Sequence, residues 1–340
     1  MLLLLLILSI SFGQLIRLEL VPGVIIYLHD ILVLLALIFY LPKVKSFSSP
    51  YTRPILAFIA IAALSLIFSF RPLNQIIVGS LYLWRWLAYA LIYFVARQAK
   101  LPLRRYLIIT GLIVAITGLI QYFLFPDTRF LYNLGWDEHY YRLIGTFFDP
   151  NFTGIFLVLT LILLWPSPVS IVPFVALLLT YSRSSYLAFL VIIVFHLRRR
   201  KLLLLVACSL WLVALLSLPR PGGEGVKLER LFSITNRLDS MQQGLRLFTQ
   251  HPVFGVGFNL LRYQQNNLVS HSGAGIDNSF IFLLATTGLP GLLAYLWLLK
   301  RQLKSNAYFL VPILVHSLFN NTLFYAPVML WLWLLLASDG

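Results

Sequence analysis

Long apolar stretches alternate with short charged connections along the whole chain. A membrane-spanning helix needs roughly 20 mainly apolar residues, with about 17–25 tolerated. Charge clusters and Pro or Gly positions separate twelve candidate spans, at about 1–16, 23–41, 54–70, 75–96, 105–125, 151–165, 168–182, 185–197, 202–218, 276–299, 306–322 and 324–337. The pattern predicts an all-α, polytopic integral membrane protein with about twelve transmembrane helices in one domain, 1–340.

The charges of the connections divide into two groups. Four alternate connections, near residues 43–53, 97–105, 198–201 and 300–304, hold fourteen cations and no acid. The other connections hold eleven cations and ten acids. By the positive-inside rule the first group is cytoplasmic, and both termini lie inside. The stretch 1–16 lacks a basic start and a cleavage site, so we expect it to be a retained first span.

Two connections on the predicted outer side are long, Pro126–Pro150 and Pro219–Gly275. Within the second, Leu238, Met241, Leu245 and Phe248 recur at helical spacing. This stripe predicts an amphipathic helix over Ser233–Gln250 that lies against the bundle or the outer membrane surface. The 219–275 loop is therefore predicted to be a large, partly helical periplasmic loop.

Composition supports the membrane class. The 340 residues are 60% hydrophobic and 11% charged, whereas soluble domains carry about 25% charged residues. Nearly all of the net charge of +15 lies in the cytoplasmic connections and so sets the orientation of the chain in the membrane, which argues against nucleic acid as a partner. No metal-site spacing, P-loop or dinucleotide motif occurs, so neither a metal nor a cofactor is predicted.

Polar residues at the outer ends of the predicted spans are the candidates for chemistry. Asp149 and Asn151 are placed to cap the sixth span, and a helix start of this kind suits a phosphate. Arg142, just before it, is a candidate ligand contact. Arg183 lies in a short turn with three serines and Tyr181, and either snorkels to water or binds an anion.

The long outer loop and the tenth span add further candidates. Arg237 and Arg246 are nine residues apart, so a straight helix points them in opposite directions. Asp277, at the mouth of the span, either acts as a base, holds an arginine or caps the helix; beside arginines we expect it to stay ionised.

Three further positions carry structural predictions. The sequence Gly255-Val-Gly257 predicts a tight turn. His316 with Asn320 and Asn321 predicts interhelical hydrogen bonds. Arg85, inside the fourth span, predicts a cation–π contact or an ion pair.

The ordered motifs GTFFDPN (145–151), SRSS (182–185), NR (236–237), HPVFGVGF (251–258) and DNSFIFLLATTGLPG (277–291) resemble the superfamily of O-antigen ligases and O-antigen polymerases. The resemblance covers about residues 140–300. It implies a metal-independent membrane glycosyltransferase of the GT-C type. Such an enzyme takes a glycan from an undecaprenyl-pyrophosphate carrier at the periplasmic face of the bacterial inner membrane, with inversion at the anomeric carbon.

By position, Arg183 and Arg237 match the two arginines of the ligase site. Asp277, in Asp277-Asn278, stands where the ligases have a histidine; it is the first choice for the base, and His271 is the second. The candidate substrate-binding residues are Arg142, Asn151, Asn278 and Arg246. The resemblance implies a carrier-linked glycan or lipid A core as acceptor and a chain-length regulator as a candidate partner protein.

The aspartate favours a surface-polysaccharide polymerase over a ligase. A second hypothesis, from another class, is a small-anion transporter with Arg183 and Arg237 as binding residues. A transporter should line a path through the bilayer with polar groups, whereas most candidates here lie on one side. A third hypothesis is a structural partner in envelope assembly without catalysis.

Overall fold

A computed structural model describes residues 1–21, 24–264 and 275–338, and the protein is 73% helical. One β-hairpin, β1 (Arg17–Val21) and β2 (Val24–Tyr27), was not predicted. The α-helices of the described ranges are α1 (Leu2–Ser9), α2 (Leu28–Tyr40), α3 (Thr52–Ile67), α4 (Leu73–Arg97), α5 (Leu103–Leu124), α6 (Pro150–Leu164), α7 (Ile171–Leu179), α8 (Arg183–Leu197), α9 (Lys201–Leu216), α10 (Phe232–Gln250), α11 (Ser279–Ser317) and α12 (Ala326–Ala337).

The structure supports a helical membrane protein, although not the count of twelve spans. Within the described ranges, only α4, α5 and α11 are long and apolar enough to cross a membrane. Seven further apolar helices have 10–17 residues. The predicted apolar stretches nevertheless coincide with helices, and the two stretches 276–299 and 306–322 are joined in α11.

The helix α11 folds back on itself. Straight, its 39 residues would extend roughly 58 Å. The side chain of Asn278 at its start instead donates to the carbonyl of Leu318 at 3.0 Å, and Ser279 Oγ donates to the carbonyl of Asn320 at 3.3 Å. The backbone leaves helical geometry at Asn306, with φ −149° and ψ 57°. The two arms are therefore antiparallel, and both ends of α11 lie at the same end of the bundle.

Burial places α12 and α6 at the centre of the bundle. All twelve residues of α12 are buried, as are most residues of α6. A helix that is apolar on all sides belongs inside other helices or lipid. By contrast, Trp211 is the only buried residue of α9, which packs against α8 at the periphery.

The predicted turn Gly255-Val-Gly257 packs on α11 just before Gly288, a second position where the backbone of this helix leaves helical geometry, with φ 68° and ψ −170°. Val256 N donates to the carbonyl of Ala285 at 2.9 Å, and Gly257 N donates to that of Thr286 at 3.1 Å. Gly255 has φ +65° and a Cβ there would lie 2.4 Å from the Thr286 carbonyl carbon. Only glycine fits this backbone conformation and this approach without strain. The turn fixes the segment after α10 to the start of α11.

The amphipathic helix is present as α10, and its packing differs from the prediction. Leu238 and Leu245 of the predicted stripe are exposed, whereas Met241 and Phe248 are half-buried. The buried residue of α10 is Gly244, where an added Cβ would lie 2.5 Å from Ile276 Cδ1 and 2.6 Å from Ile281 Cγ2 of α11. The missing side chain of Gly244 therefore lets α10 pack against the isoleucine side chains at the start of α11, and part of the leucine stripe stays uncovered.

Candidate active site

A cavity of about 1290 Å³ lies at the end of the bundle where the long connections gather. The segment before α6, the segment before α10, one face of α10 and both ends of α11 contribute to its walls. Its lining carries many ionisable side chains of both signs, namely Glu19, Arg85, Asp137, Glu138, His139, Arg142, Asp149, Glu224, Arg230, Arg237, Asp239, Arg262 and Asp277. The cavity can accommodate a charged ligand.

Arg142 and Arg230 converge on one backbone carbonyl. Arg142 Nε donates to the carbonyl of Thr180 at 3.0 Å, and its Nη2 donates to that of Tyr181 at 3.4 Å. Arg230 Nη2 donates to the same Tyr181 carbonyl at 3.0 Å. Neither arginine has an ion-pair partner among the described residues. Two cations side by side without a carboxylate partner favour an anionic ligand.

The pKa values of both arginines are lowered by burial and by the positive charges around them. Burial, followed by repulsion from the nearby guanidinium of Arg230, lowers the pKa of Arg142 to about 9. Burial also lowers the pKa of Arg230 to about 10, with repulsion from Arg183 and Arg237 adding to the effect. A bound anion would relieve both the desolvation and the repulsion.

Arg237 reaches the same cavity from α10. Its Nη2 donates to Asn320 Oδ1 at 3.3 Å, and the side chain lines the cavity. Arg246 is exposed and lies outside the cavity lining, in keeping with the half-turn offset between the two positions. Of the two arginines on α10, only Arg237 is therefore placed to contact a ligand in the cavity.

Asp277 is half-buried in the cavity wall, just before α11. Its backbone N donates to Ser240 Oγ at 3.2 Å, and its carboxylate has no hydrogen-bond partner in the described part of the chain. Burial raises the pKa of Asp277 to about 6; Arg237 lowers it, and Asp149 and Asp137 raise it. We expected arginines beside Asp277 to keep it ionised. Burial outweighs the effect of Arg237 on its pKa, and with a pKa of about 6 the carboxylate is still mostly ionised at pH 7. His271 lies outside the described residues.

The capping predictions divide between two residues. Asp149 caps α6, because its Oδ1 accepts from Asn151 N at 2.6 Å and from Phe152 N at 3.1 Å. Asn278 caps α11 by accepting from Phe280 N and Ile281 N, and it lies outside the cavity lining. Asn151 lines the cavity, and its Oδ1 accepts from Ser182 Oγ at 2.9 Å.

Arg85 makes both contacts that were open from the sequence. Its Nη2 lies 2.9 Å from Asp30 Oδ2, and its guanidinium carbon lies over the rings of Tyr82 at 5.0 Å and Tyr27 at 5.3 Å. The cation–π partners of Arg85 are therefore these two tyrosines and not Trp84 and Trp86, which flank it in the sequence. The ion pair joins α4 to α2 at the edge of the cavity.

Arg183 does not line the cavity; it holds the chain that leads into α10. Its Nη1 donates to the carbonyls of Leu228 at 3.1 Å and Arg230 at 2.9 Å, and its Nη2 donates to Ser233 Oγ at 2.6 Å. These bonds fix the backbone that carries Arg230. Arg183 therefore affects the cavity indirectly, by fixing the position of Arg230.

We expect Arg183→Ala to loosen the start of α10. Hydrogen bonds to a charged donor contribute about 1.5–3 kcal/mol each, and three are lost. Amide exchange over residues 228–236, followed by mass spectrometry, should therefore become at least about tenfold faster. Arg220→Ala is the matched control, because this exposed arginine of the same loop pairs with Glu229 at the surface. Unchanged exchange together with lost activity would indicate direct substrate contact instead.

Two cavity residues were missed from the sequence. Arg230 is one of several arginines in the long loop, and no spacing rule sets it apart. His139 is buried, and its Nε2 has no hydrogen-bond partner among the described residues. Burial holds the pKa of His139 well below its usual range, with Arg142 and Arg230 acting in the same direction. Its imidazole is therefore neutral at pH 7 and can donate a hydrogen bond into the cavity.

The fold and the cavity together define a helical membrane protein with a cavity at one end of its bundle that carries several arginines. Residues 168–296 match the family model described as O-Antigen ligase. This match confirms the resemblance to the O-antigen ligase and polymerase superfamily, and it supports a function of the O-antigen ligase or polymerase type. Compared with curated proteins, the chain gives no significant match.

Proposed function

We propose that the protein is an inner-membrane glycosyltransferase that polymerises oligosaccharide units from an undecaprenyl-pyrophosphate carrier at the periplasmic face. The observation that carries the proposal is the convergence of Arg142 and Arg230 on the Tyr181 carbonyl, in a cavity that also holds Arg237 and Asp277. Arginine forks match the oxygens of a pyrophosphate. The motifs that resemble the superfamily contribute Asn151, Arg237 and Asp277 to the lining of this cavity, and the family-model match covers residues 168–296.

The distribution of charge supports a periplasmic active face. The four basic connections contribute no residue to the cavity lining, which comes from connections predicted to lie outside and from adjoining residues of the spans, such as Arg85 and Met329. Arg104, in a basic connection, donates from Nε to Ser338 Oγ at 3.3 Å, which places the end of α12 beside that connection. In the proposed topology the cytoplasmic side holds both termini, and the cavity, to which residues 224–262 of the long loop contribute, opens on the periplasmic side.

The proposed mechanism divides the reaction between the arginines and the carboxylate. Asp277 takes the proton from the acceptor hydroxyl, whose oxygen attacks the anomeric carbon of the donor sugar. The bond from that carbon to the pyrophosphate breaks, and the electron pair leaves with the phosphate oxygen. Arg142, Arg230 and Arg237 stabilise the developing negative charge. In-line attack inverts the anomeric carbon and requires no metal in this scheme.

The favoured acceptor is a second carrier-linked glycan, because Asp277 replaces the histidine of the ligases. The match to a model described as O-Antigen ligase favours a second candidate, transfer of the polysaccharide to lipid A core. The two functions share donor and chemistry and differ in acceptor.

Reconstitution in liposomes tests the proposal. Purified protein is supplied with an undecaprenyl-pyrophosphate oligosaccharide, and the products are separated by length. A ladder on the carrier is expected and identifies a polymerase, whereas glycan found only on added lipid A core identifies a ligase. If no glycan is transferred to either acceptor and the same liposomes take up a small anion, the protein is a transporter and the proposal is wrong.

A further inference from the structure

A cluster of uncharged polar side chains lies buried beneath the cavity. It joins the start of α8 to the end of α11 and the turn that follows it, and its members are Ser182, Ser184, Ser185, His316, Asn320 and Thr322. Each is at most 4% exposed. Burying polar groups in a membrane bundle is unfavourable unless they are hydrogen-bonded, and such groups are commonly functional. The mechanism above does not use this cluster.

His316 is held at both ring nitrogens. Its Nδ1 lies 2.7 Å from Thr322 Oγ1, and its Nε2 lies 3.1 Å from Ser184 Oγ and 3.2 Å from Ser185 Oγ. A neutral imidazole offers one donor and one acceptor, and both are engaged here. Ser184 and Ser185 do not line the cavity, so a nucleophilic serine–histidine pair is not accessible to a ligand there.

Asn320 links this cluster to the cavity. Its Nδ2 donates to Ser184 Oγ at 3.0 Å and lies 3.3 Å from His316 Nε2. Its Oδ1 accepts from Arg237 Nη2 at 3.3 Å, and this is the only hydrogen bond of the Arg237 side chain among the described residues. The cluster thereby fixes which way the Asn320 amide faces, with its oxygen toward Arg237.

The other end of the cluster also reaches the cavity. Ser182 Oγ donates to Asn151 Oδ1 at 2.9 Å, and Ser185 Oγ donates to the Asn151 carbonyl at 3.1 Å. Arg237 lies on α10, a helix with one fully buried residue, Gly244. A long side chain on so lightly packed a helix needs a fixed acceptor to keep one orientation. The serines of the 182–185 motif therefore fix the position of Asn151 in the cavity wall as well as that of Asn320.

We propose that Asn320, oriented by His316 and Ser184, is a positioning residue that sets the direction of the Arg237 guanidinium in the cavity. Asn320 also lines the cavity; in the proposed arrangement its effect on the ligand passes through Arg237 rather than through direct contact. The predicted effect on glycan transfer rests on the proposed function; the predicted effect on the position of Arg237 does not.

The test compares Asn320→Leu, which removes both amide functions, with Asn320→Asp, which keeps an acceptor for Arg237. In liposomes, Asn320→Leu should raise KM for the carrier-linked donor by about 10–100-fold, with a smaller change in kcat. Asn320→Asp should recover most of this loss. In an Arg237→Ala background, Asn320→Leu should have no further effect, because the residue through which it acts is gone.

Ser317→Ala is the matched control, because Ser317 is a buried neighbour whose Oγ, within the described ranges, donates only to the carbonyl of Ile313 in its own helix. Its KM should stay within about twofold of wild type. Additive effects of Asn320→Leu and Arg237→Ala would overturn the proposal. Should Asn320→Leu fail to fold, the cycle is repeated with Thr322→Val, which removes the hydrogen-bond partner of His316 Nδ1.

A cryo-electron-microscopy map of the Asn320→Leu variant tests the positioning role of Asn320 without an activity assay. The Arg237 guanidinium should leave its wild-type position, while Arg142 and Arg230 keep theirs. An unmoved guanidinium overturns the positioning role, whatever the reaction proves to be. Failure of the wild-type protein to transfer glycan would overturn the proposed function, and the map would still test the role of Asn320.

Discussion

Replacing Asp277 with asparagine is expected to lower glycan transfer by about 10²–10⁴-fold, the usual contribution of a general base. Asparagine keeps the shape of the side chain and cannot accept the proton of the acceptor hydroxyl. The carboxylate has no hydrogen-bond partner among the described residues, so its replacement should leave the fold intact. Initial rates at saturating donor, with equal amounts of folded protein in liposomes, measure the effect.

The same assignment predicts how the wild-type rate depends on pH. A base must be deprotonated to act, and burial raises the pKa of Asp277 to about 6. The rate should therefore rise as pH increases through about 6 and level off above about 7. Asp277→Asn should lose this acidic limb as well as most of its rate, which separates a base from a residue that only shapes the cavity.

Asp127→Asn is the matched control, because Asp127 is exposed, pairs with Arg129 and lies outside the cavity lining. It should keep the wild-type rate and pH profile. Retention of the rate in Asp277→Asn would contradict the assignment, and loss of the rate in His271→Gln would then identify His271, the second choice from the sequence, as the base.

The helical frame was predictable from the sequence because apolar stretches in a membrane protein have few alternatives to helix. Span counting was less secure, since it depends on where a helix turns. In α11 the backbone leaves helical geometry at Gly288 and at Asn306. The charged connection at 300–304, which separates the two predicted spans, lies just before Asn306, whereas the break at Gly288 falls inside one predicted span, 276–299, and leaves no signal in hydropathy. The packing of α10 could not be predicted from its hydrophobic pattern either, because Gly244, rather than the leucine stripe, sets its contact with α11.

The site was predictable only in part. Arg142, Arg237 and Asp277 lie next to helix starts or on a recognisable amphipathic helix, and all three line the cavity. Arg230 comes from irregular chain, whose path depends on the three bonds made by Arg183. The serines beside Arg183 suggested an anion site, but their hydroxyls bond to His316, to Asn151 and to each other. Contacts between residues more than a hundred positions apart cannot be read from local sequence.

The second large effect is expected from the paired arginines. Arg142→Ala and Arg230→Ala should each lower kcat/KM for the carrier-linked donor by about 10²–10³-fold, the range for losing one preorganised donor to developing charge. Arg142→Lys should recover little, because an ammonium cannot hold the carbonyls of Thr180 and Tyr181 and also present a flat fork to a phosphate.

The double variant Arg142→Ala/Arg230→Ala should lose less than the product of the two single effects. Both guanidiniums bind the Tyr181 carbonyl and would act on the same phosphates, so the first loss removes part of what the second supports. Arg129→Ala is the control, because this exposed arginine pairs with Asp127 outside the cavity lining. Strictly multiplicative losses would mean that the two arginines bind separate groups. Unchanged kcat/KM in both single variants would exclude this pair from pyrophosphate recognition and leave Arg237 as the remaining candidate of the three converging arginines.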